Sequence, residues 1–76
     1  MKELLTFVVK ELVSHPETVE VNEAEKDGEL VLSLSVAPED MGKVIGRQGR
    51  IAKELRTLMK AAGLKTGKKV SVEILD

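Results

Sequence analysis

The sequence predicts one α+β domain over residues 1–76 with the element order αββααβ, a small three-stranded mixed sheet and three helices on one of its faces. Three observations predict it. Apolar residues recur at helical spacing in three segments and alternate in three others. An Asp-Gly pair joins the first two alternating segments as a hairpin. Two helical segments separate the second from the third, which is ample for a right-handed parallel crossover. A chain of 76 residues has no room for a second domain and buries only about 60% of its unfolded surface. Without cysteine it has no disulfide framework, no thiolate metal site and no thiol nucleophile. No apolar run approaches the roughly 18 residues of a membrane span, and Met1-Lys2-Glu3 opens into an amphipathic pattern unlike a signal peptide. The expectation is a soluble, cytoplasmic protein.

Taken in order, Leu5, Val8, Val9, Leu12 and Val13 lie at helical spacing with Lys2, Glu3, Thr6, Lys10 and Glu11 between them, which predicts a helix over 2–14. His15-Pro16 stops it, because proline disfavours helical geometry in the residue before it. Phe7, the one aromatic, falls on the polar side of that helix, either covered by neighbouring side chains or as a partner contact. Residues 18–25 and 29–36 alternate as strands across Asp27-Gly28. That turn pairs Val21 with Leu34 and Val19 with Val36, so Leu30, Leu32, Leu34 and Val36 point inward while Glu29, Ser33 and Ser35 face water. Ala37-Pro38-Glu39-Asp40 is a helix start, with proline near the first position and two carboxylates where the macrodipole favours them. Met41, Val44 and Ile45 form a short apolar face ending at Gly46. A further helix begins near Gly49, buries Ile51, Leu55, Leu58, Met59 and Ala62, and stops at Gly63. Residues 68–75 alternate again, with Val70, Val72 and Ile74 on one face.

The stretch Val44-Ile45-Gly46-Arg47-Gln48-Gly49-Arg50-Ile51 sits between the two later helices. Gly46 can take the positive φ that ends one helix, Gly49 leaves no Cβ at the start of the next, and free N–H groups between them can face an anion. The glycines alone fit equally a sharp turn with no ligand. Charge separates along the chain: residues 1–42 carry three lysines against ten carboxylates, net −7, whereas residues 43–60 carry six cations against one glutamate, net +5. A basic segment in an acidic chain marks a focused anion site, with modest affinity and few phosphates neutralised. Lys43, Arg47 and Arg50 lie nearest the turn and Lys53 one helical turn on; Arg56 and Lys60, further away, read as a solvated face. The acidic cluster Glu20, Glu23, Glu25, Asp27 and Glu29 alternates faces around a turn and reads as charge that discourages edge pairing, not as a metal site. With no cysteine, no second histidine and no serine positioned by an evident motif, His15 reads as a helix-end residue. No catalytic residue, metal site or cofactor is expected.

The run Val44-Ile45-Gly46-Arg47-Gln48-Gly49, between two helices, after a hairpin and before a final strand, resembles the signature of K-homology (KH) RNA-binding domains. The order of elements resembles their type II, prokaryotic arrangement over nearly the whole chain. The resemblance implies that the Gly-x-x-Gly loop clamps about four single-stranded nucleotides while bases lie in an adjoining groove. Gly46, Arg47, Gln48 and Gly49 would hold phosphates through backbone N–H groups, with Arg47 adding charge and Gln48 a hydrogen bond. Lys43, Arg50 and Lys53 would flank the strand. Ile45 and Val44, with Met41, Leu34 or Val36, would line the groove. Ala52 stands where many KH domains carry a larger aliphatic residue, which alters groove depth. With no aromatic near the loop, discrimination between bases should be shallow. A small KH protein of this kind also implies a protein partner, as a homodimer or with a larger KH-domain protein, and an adaptor role is the second reading. A helix-turn-helix reading would require Arg50, Lys53 and Arg56 to enter a DNA major groove.

Overall fold

A computed structural model of the chain describes residues 1–75. Its elements are α1 (Lys2–Leu12), β1 (Glu20–Lys26), β2 (Glu29–Ser35), α2 (Met41–Ile45), α3 (Arg50–Lys65) and β3 (Lys69–Ile74). Single 3-10 turns occupy Pro16–Thr18, Pro38–Asp40 and Arg47–Gly49. The sheet order is β1-β2-β3, with β1 antiparallel and β3 parallel to the central β2. This is the αββααβ, mixed-sheet architecture of a type II KH fold. Leu30, Leu32 and Leu34 of β2 pack with Leu5 and Val9 of α1, Val44 of α2, Leu55 and Met59 of α3, and Val70 and Val72 of β3 in one buried cluster. The helices therefore share one face of the sheet.

The hairpin turns on Asp27 and Gly28, whose φ angles of 52° and 78° are both left-handed. This twist matches that of the flanking strands and fixes the register. Val21 lies opposite Leu34, as the turn predicts. The expected Val19–Val36 pair falls outside the ladder, because β1 begins at Glu20. The 3-10 turn occupies the preceding residues, with Thr18 N–H donating to His15 O at 3.1 Å and Val19 N–H to Pro16 O at 3.2 Å.

Two boundaries differ from the sequence expectation for tertiary reasons. α1 ends at Leu12 instead of residue 14, and Val13 is already extended. The backbone N–H groups of Ser14 and His15 donate to the Asp40 carboxylate at 3.1 and 2.9 Å, which draws the chain out of the helix. α3 runs through Gly63 to Lys65. A Cβ on Gly63 would stand 2.5 Å from Val70 Cγ2 and 2.8 Å from Lys68 O, so this glycine lets β3 pass close to the helix. The stop is Gly67, at φ 73°. Gly67 N–H donates to Leu64 O at 3.2 Å and Lys68 N–H to Gly63 O at 2.8 Å, the paired bonds of a Schellman end.

Candidate nucleic-acid interface

The Gly-x-x-Gly loop is a tight corner between α2 and α3. Gly46 ends α2 at φ 76°, and a Cβ there would stand 2.6 Å from Ile51 Cγ1. It is thus required twice, for its dihedral and for the close seat of Ile51. Gln48 and Gly49 follow at φ 57° and 75°, both left-handed, and nothing lies within 4 Å of where a Gly49 Cβ would be. Gly46 N–H donates to Gly42 O at 2.8 Å and Gly49 N–H to Gly46 O at 3.2 Å. Two of the four loop amides are therefore already committed. Any phosphate contact through the loop backbone narrows to the amides of Arg47 and Gln48.

The side chains of Arg47, Gln48, Arg50 and Lys53 are exposed. None of them has a side-chain hydrogen bond or ion pair among the described residues. Lys43 is placed differently. Its Nζ donates to Ser14 Oγ and lies 3.7 Å from Asp40 Oδ1, so it is turned toward the α1–β1 corner. Val44 is wholly buried in the core, and so is Leu34. Neither side chain has surface to offer a base, and Val36 has little. Ile45, 37% exposed, is the apolar residue beside the loop that faces outward. Ala52 is buried on the first turn of α3.

Asp40 is the residue whose weight the sequence understated. It is 1% exposed and gathers the Ser14 and His15 amides, His15 Nδ1 at 3.1 Å and the Lys43 ammonium, joining the end of α1 to the start of α2. Burial pushes its carboxyl up, but the hydrogen bonds from the Ser14 and His15 amides and the His15 ring outweigh it and hold the group below its ordinary value. Sequence shows only an acidic residue in a first helical turn; the partners that bury it, Ser14 and His15, are 26 and 25 residues away.

Nothing in the sequence marks a cleft of about 270 Å³ beside β3, lined by Glu29, Arg56, Lys60, Lys69, Val70, Ser71 and Val72. Leu75 N–H donates to Leu34 O, so the odd-numbered residues of β3 bond to β2. Val70 and Val72 then turn their N–H and C=O groups to the open edge. Arg56 Nε donates to Val72 O at 3.3 Å, so Arg56 is part of this edge and not simply a solvated cation. It lies six residues beyond Arg50, about 9 Å along the helix axis. A larger cavity, about 430 Å³, lies among Met1, Glu23, Glu25, Leu30, Thr66 and Lys68, where Lys68 is paired with Glu25 at 3.4 Å. Its carboxylates make it the poorer place for a polyanion.

Residues 2–74 match the family model described as KhpA/KhpB, KH domain. The chain belongs to this family. The RNA-binding protein KhpA of Clostridium perfringens is 57% identical over 99% of this chain and 100% of its own length. KhpA of Listeria monocytogenes is 53% identical over the whole of both chains, and that of Bacillus subtilis 46% identical over all of this chain and 94% of its own. These relatives are named as RNA-binding proteins. Among solved structures, Era in complex with MgGDPNP and nucleotides 1506–1542 of 16S ribosomal RNA superposes with a TM-score of 0.58 at 20% identity. Era of Aquifex aeolicus bound to GDP·AlF4⁻ gives 0.57, also at 20%. Each match covers 96% of this chain but 28% of Era, and it speaks for the fold alone. Among the described residues, no helix is long and apolar enough to cross a membrane.

Proposed function

We propose that this KhpA/KhpB-family domain binds single-stranded RNA with little sequence specificity, through the Gly46–Gly49 loop and the groove beside it. The observation that carries the reading is the loop itself: a preshaped corner, its Arg47 and Gln48 exposed, at the head of the +5 segment. The phosphate backbone crosses the corner, where Arg47, Arg50 and Lys53 supply charge and the Arg47 and Gln48 amides supply donors. Bases turn toward Ile45 and the α3–β3 cleft. The cellular role that fits is a cytoplasmic post-transcriptional regulator or RNA chaperone working with a larger, KhpB-like KH protein. Replacing Arg47 and Gln48 by Asp together should abolish binding of a labelled oligoribonucleotide while circular dichroism and cooperative melting are unchanged. Undiminished binding by that variant would sink the proposal.

A second reading, a protein–protein adaptor acting as a homodimer or heterodimer, is favoured by one observation. Phe7 is 67% exposed on α1, and Leu4, Leu12 and Leu58 are also exposed. Phe7→Glu should lower self-association or KhpB-like partner binding in sedimentation without touching RNA affinity, if protein contact is the principal use of that face.

A further inference from the structure

We infer that Gly42 is a contact surface for the bound strand: it leaves the backbone of α2 bare, so that a nucleotide can pack directly against the helix beside Ile45. The inference rests on the RNA-binding reading above. Every other glycine in the chain has a reason within the fold. Gly28, Gly46, Gly49 and Gly67 take positive φ, and Gly63 lets β3 pass close to α3. Gly42 has neither reason. It lies inside α2 without a positive φ, it is exposed, and nothing stands within 4 Å of where its Cβ would be. Glycine is the poorest helix former after proline, because it gives up the most backbone freedom. The fold alone would therefore favour alanine at this position, and the missing side chain serves something outside the chain.

The flanks of α2 show what that is. Lys43 and Asp40 turn to the α1–β1 corner, and Glu39 Oε2 lies 4.0 Å from His15 Nε2, so the carboxylates that begin the helix are drawn to that side. Val44 is spent on the core. Gly42 and Ile45, three residues apart, are neighbours on the remaining flank, and both are exposed. Gly42 O accepts the Gly46 N–H at 2.8 Å, which sets Gly42 one helical turn, about 5.4 Å, before the loop. The Arg47 and Gln48 amides, the two left open by the loop's own hydrogen bonds, follow directly. A nucleotide whose phosphate meets those amides has its sugar and ring within reach of this flank. Ile45 offers it an apolar side chain, and Gly42 offers bare backbone. Carbon atoms pack at about 3.5–4.0 Å, so a Cβ on residue 42 would stand in the space the nucleotide fills. A protein could also use bare backbone, but the open amides and Arg47 one turn away favour a polyanion.

The test sets stability against affinity. Gly42→Ala should raise the melting temperature by a few degrees, because alanine is the better helix former. It should also weaken binding of a labelled U10 oligoribonucleotide roughly fivefold or more in fluorescence anisotropy, the low end of the cost of overfilling a close contact. Gly42→Leu should weaken binding further, because the obstruction grows with the side chain; circular dichroism checks its fold, and if leucine misfolds the alanine variant decides alone. A melting temperature lowered by alanine would assign the glycine to the fold. That result, U10 affinity unmoved by alanine, or a folded leucine variant binding no worse than the alanine one, overturns the inference and leaves the RNA-binding reading standing. Failure of the unaltered chain to bind U10 overturns both.

Discussion

At the residue scale, the two loop glycines are not equivalent. Gly46→Ala places a Cβ 2.6 Å from Ile51 Cγ1 at φ 76° and should destabilise the fold by at least about 2 kcal/mol in urea unfolding. Gly49 also has positive φ but open space around it, so Gly49→Asn should be destabilising by about 1 kcal/mol or less. Any larger effect of that change on RNA affinity would then report on the ligand. Asp40 makes a pH-dependent prediction. Its folded-state pKa lies below the ordinary 3.8, so its contribution to stability is complete above that value and is lost as the pH falls through the lower, folded value. Acid unfolding followed by circular dichroism should therefore steepen below pH 3.8. Asp40→Asn should flatten that limb and lower the melting temperature at neutral pH.

At the scale of elements, α3 shows why helix propensity is a poor guide to its own glycine. Gly63→Ala gains about 1 kcal/mol in propensity on an exposed helix. Here the methyl would meet Lys68 O at 2.8 Å, a backbone atom that can yield only if β3 moves, so the change should be net destabilising by about 1–2 kcal/mol in thermal melts. The same helix marks the limit of what the sequence disclosed. Periodicity exposes what a segment does by itself: the hairpin register followed from Asp27-Gly28, and the helical stripes from the spacing of Leu5, Val9, Leu55 and Met59. Periodicity carries no information about which element lies alongside. Gly63 therefore reads as a stop although it is a point of close approach, and the periodicity runs α1 two residues too long because Asp40, which ends it, is remote in sequence. Val44 reads as groove lining but belongs to the core, because apolar character marks a face and not its exposure. Arg56 reads as a solvated cation because nothing local shows that β3 presents a bare carbonyl to it.

At the scale of the whole molecule, net charge of −1 conceals a separated distribution. Arg47, Arg50 and Lys53, the unpaired cations nearest the loop among the described residues, are the ones placed to neutralise phosphates that cross it. Three neutralised phosphates on a single strand give a slope of about −2 for log affinity against log salt. A titration of a short oligoribonucleotide that returned a slope steeper than about −4 would assign more of α3 to the contact. The acidic residues of β1 face elsewhere and bias which side of the molecule a polyanion approaches. Timing is a separate matter, and it follows from the two hydrogen bonds that close the loop on itself and on α2. A corner fixed in this way has little disorder left to lose when it meets a phosphate chain, so no slow ordering step precedes capture. Association should then be a single fast phase, linear in RNA concentration, and differences in affinity between RNAs should be read almost entirely in how long each one stays.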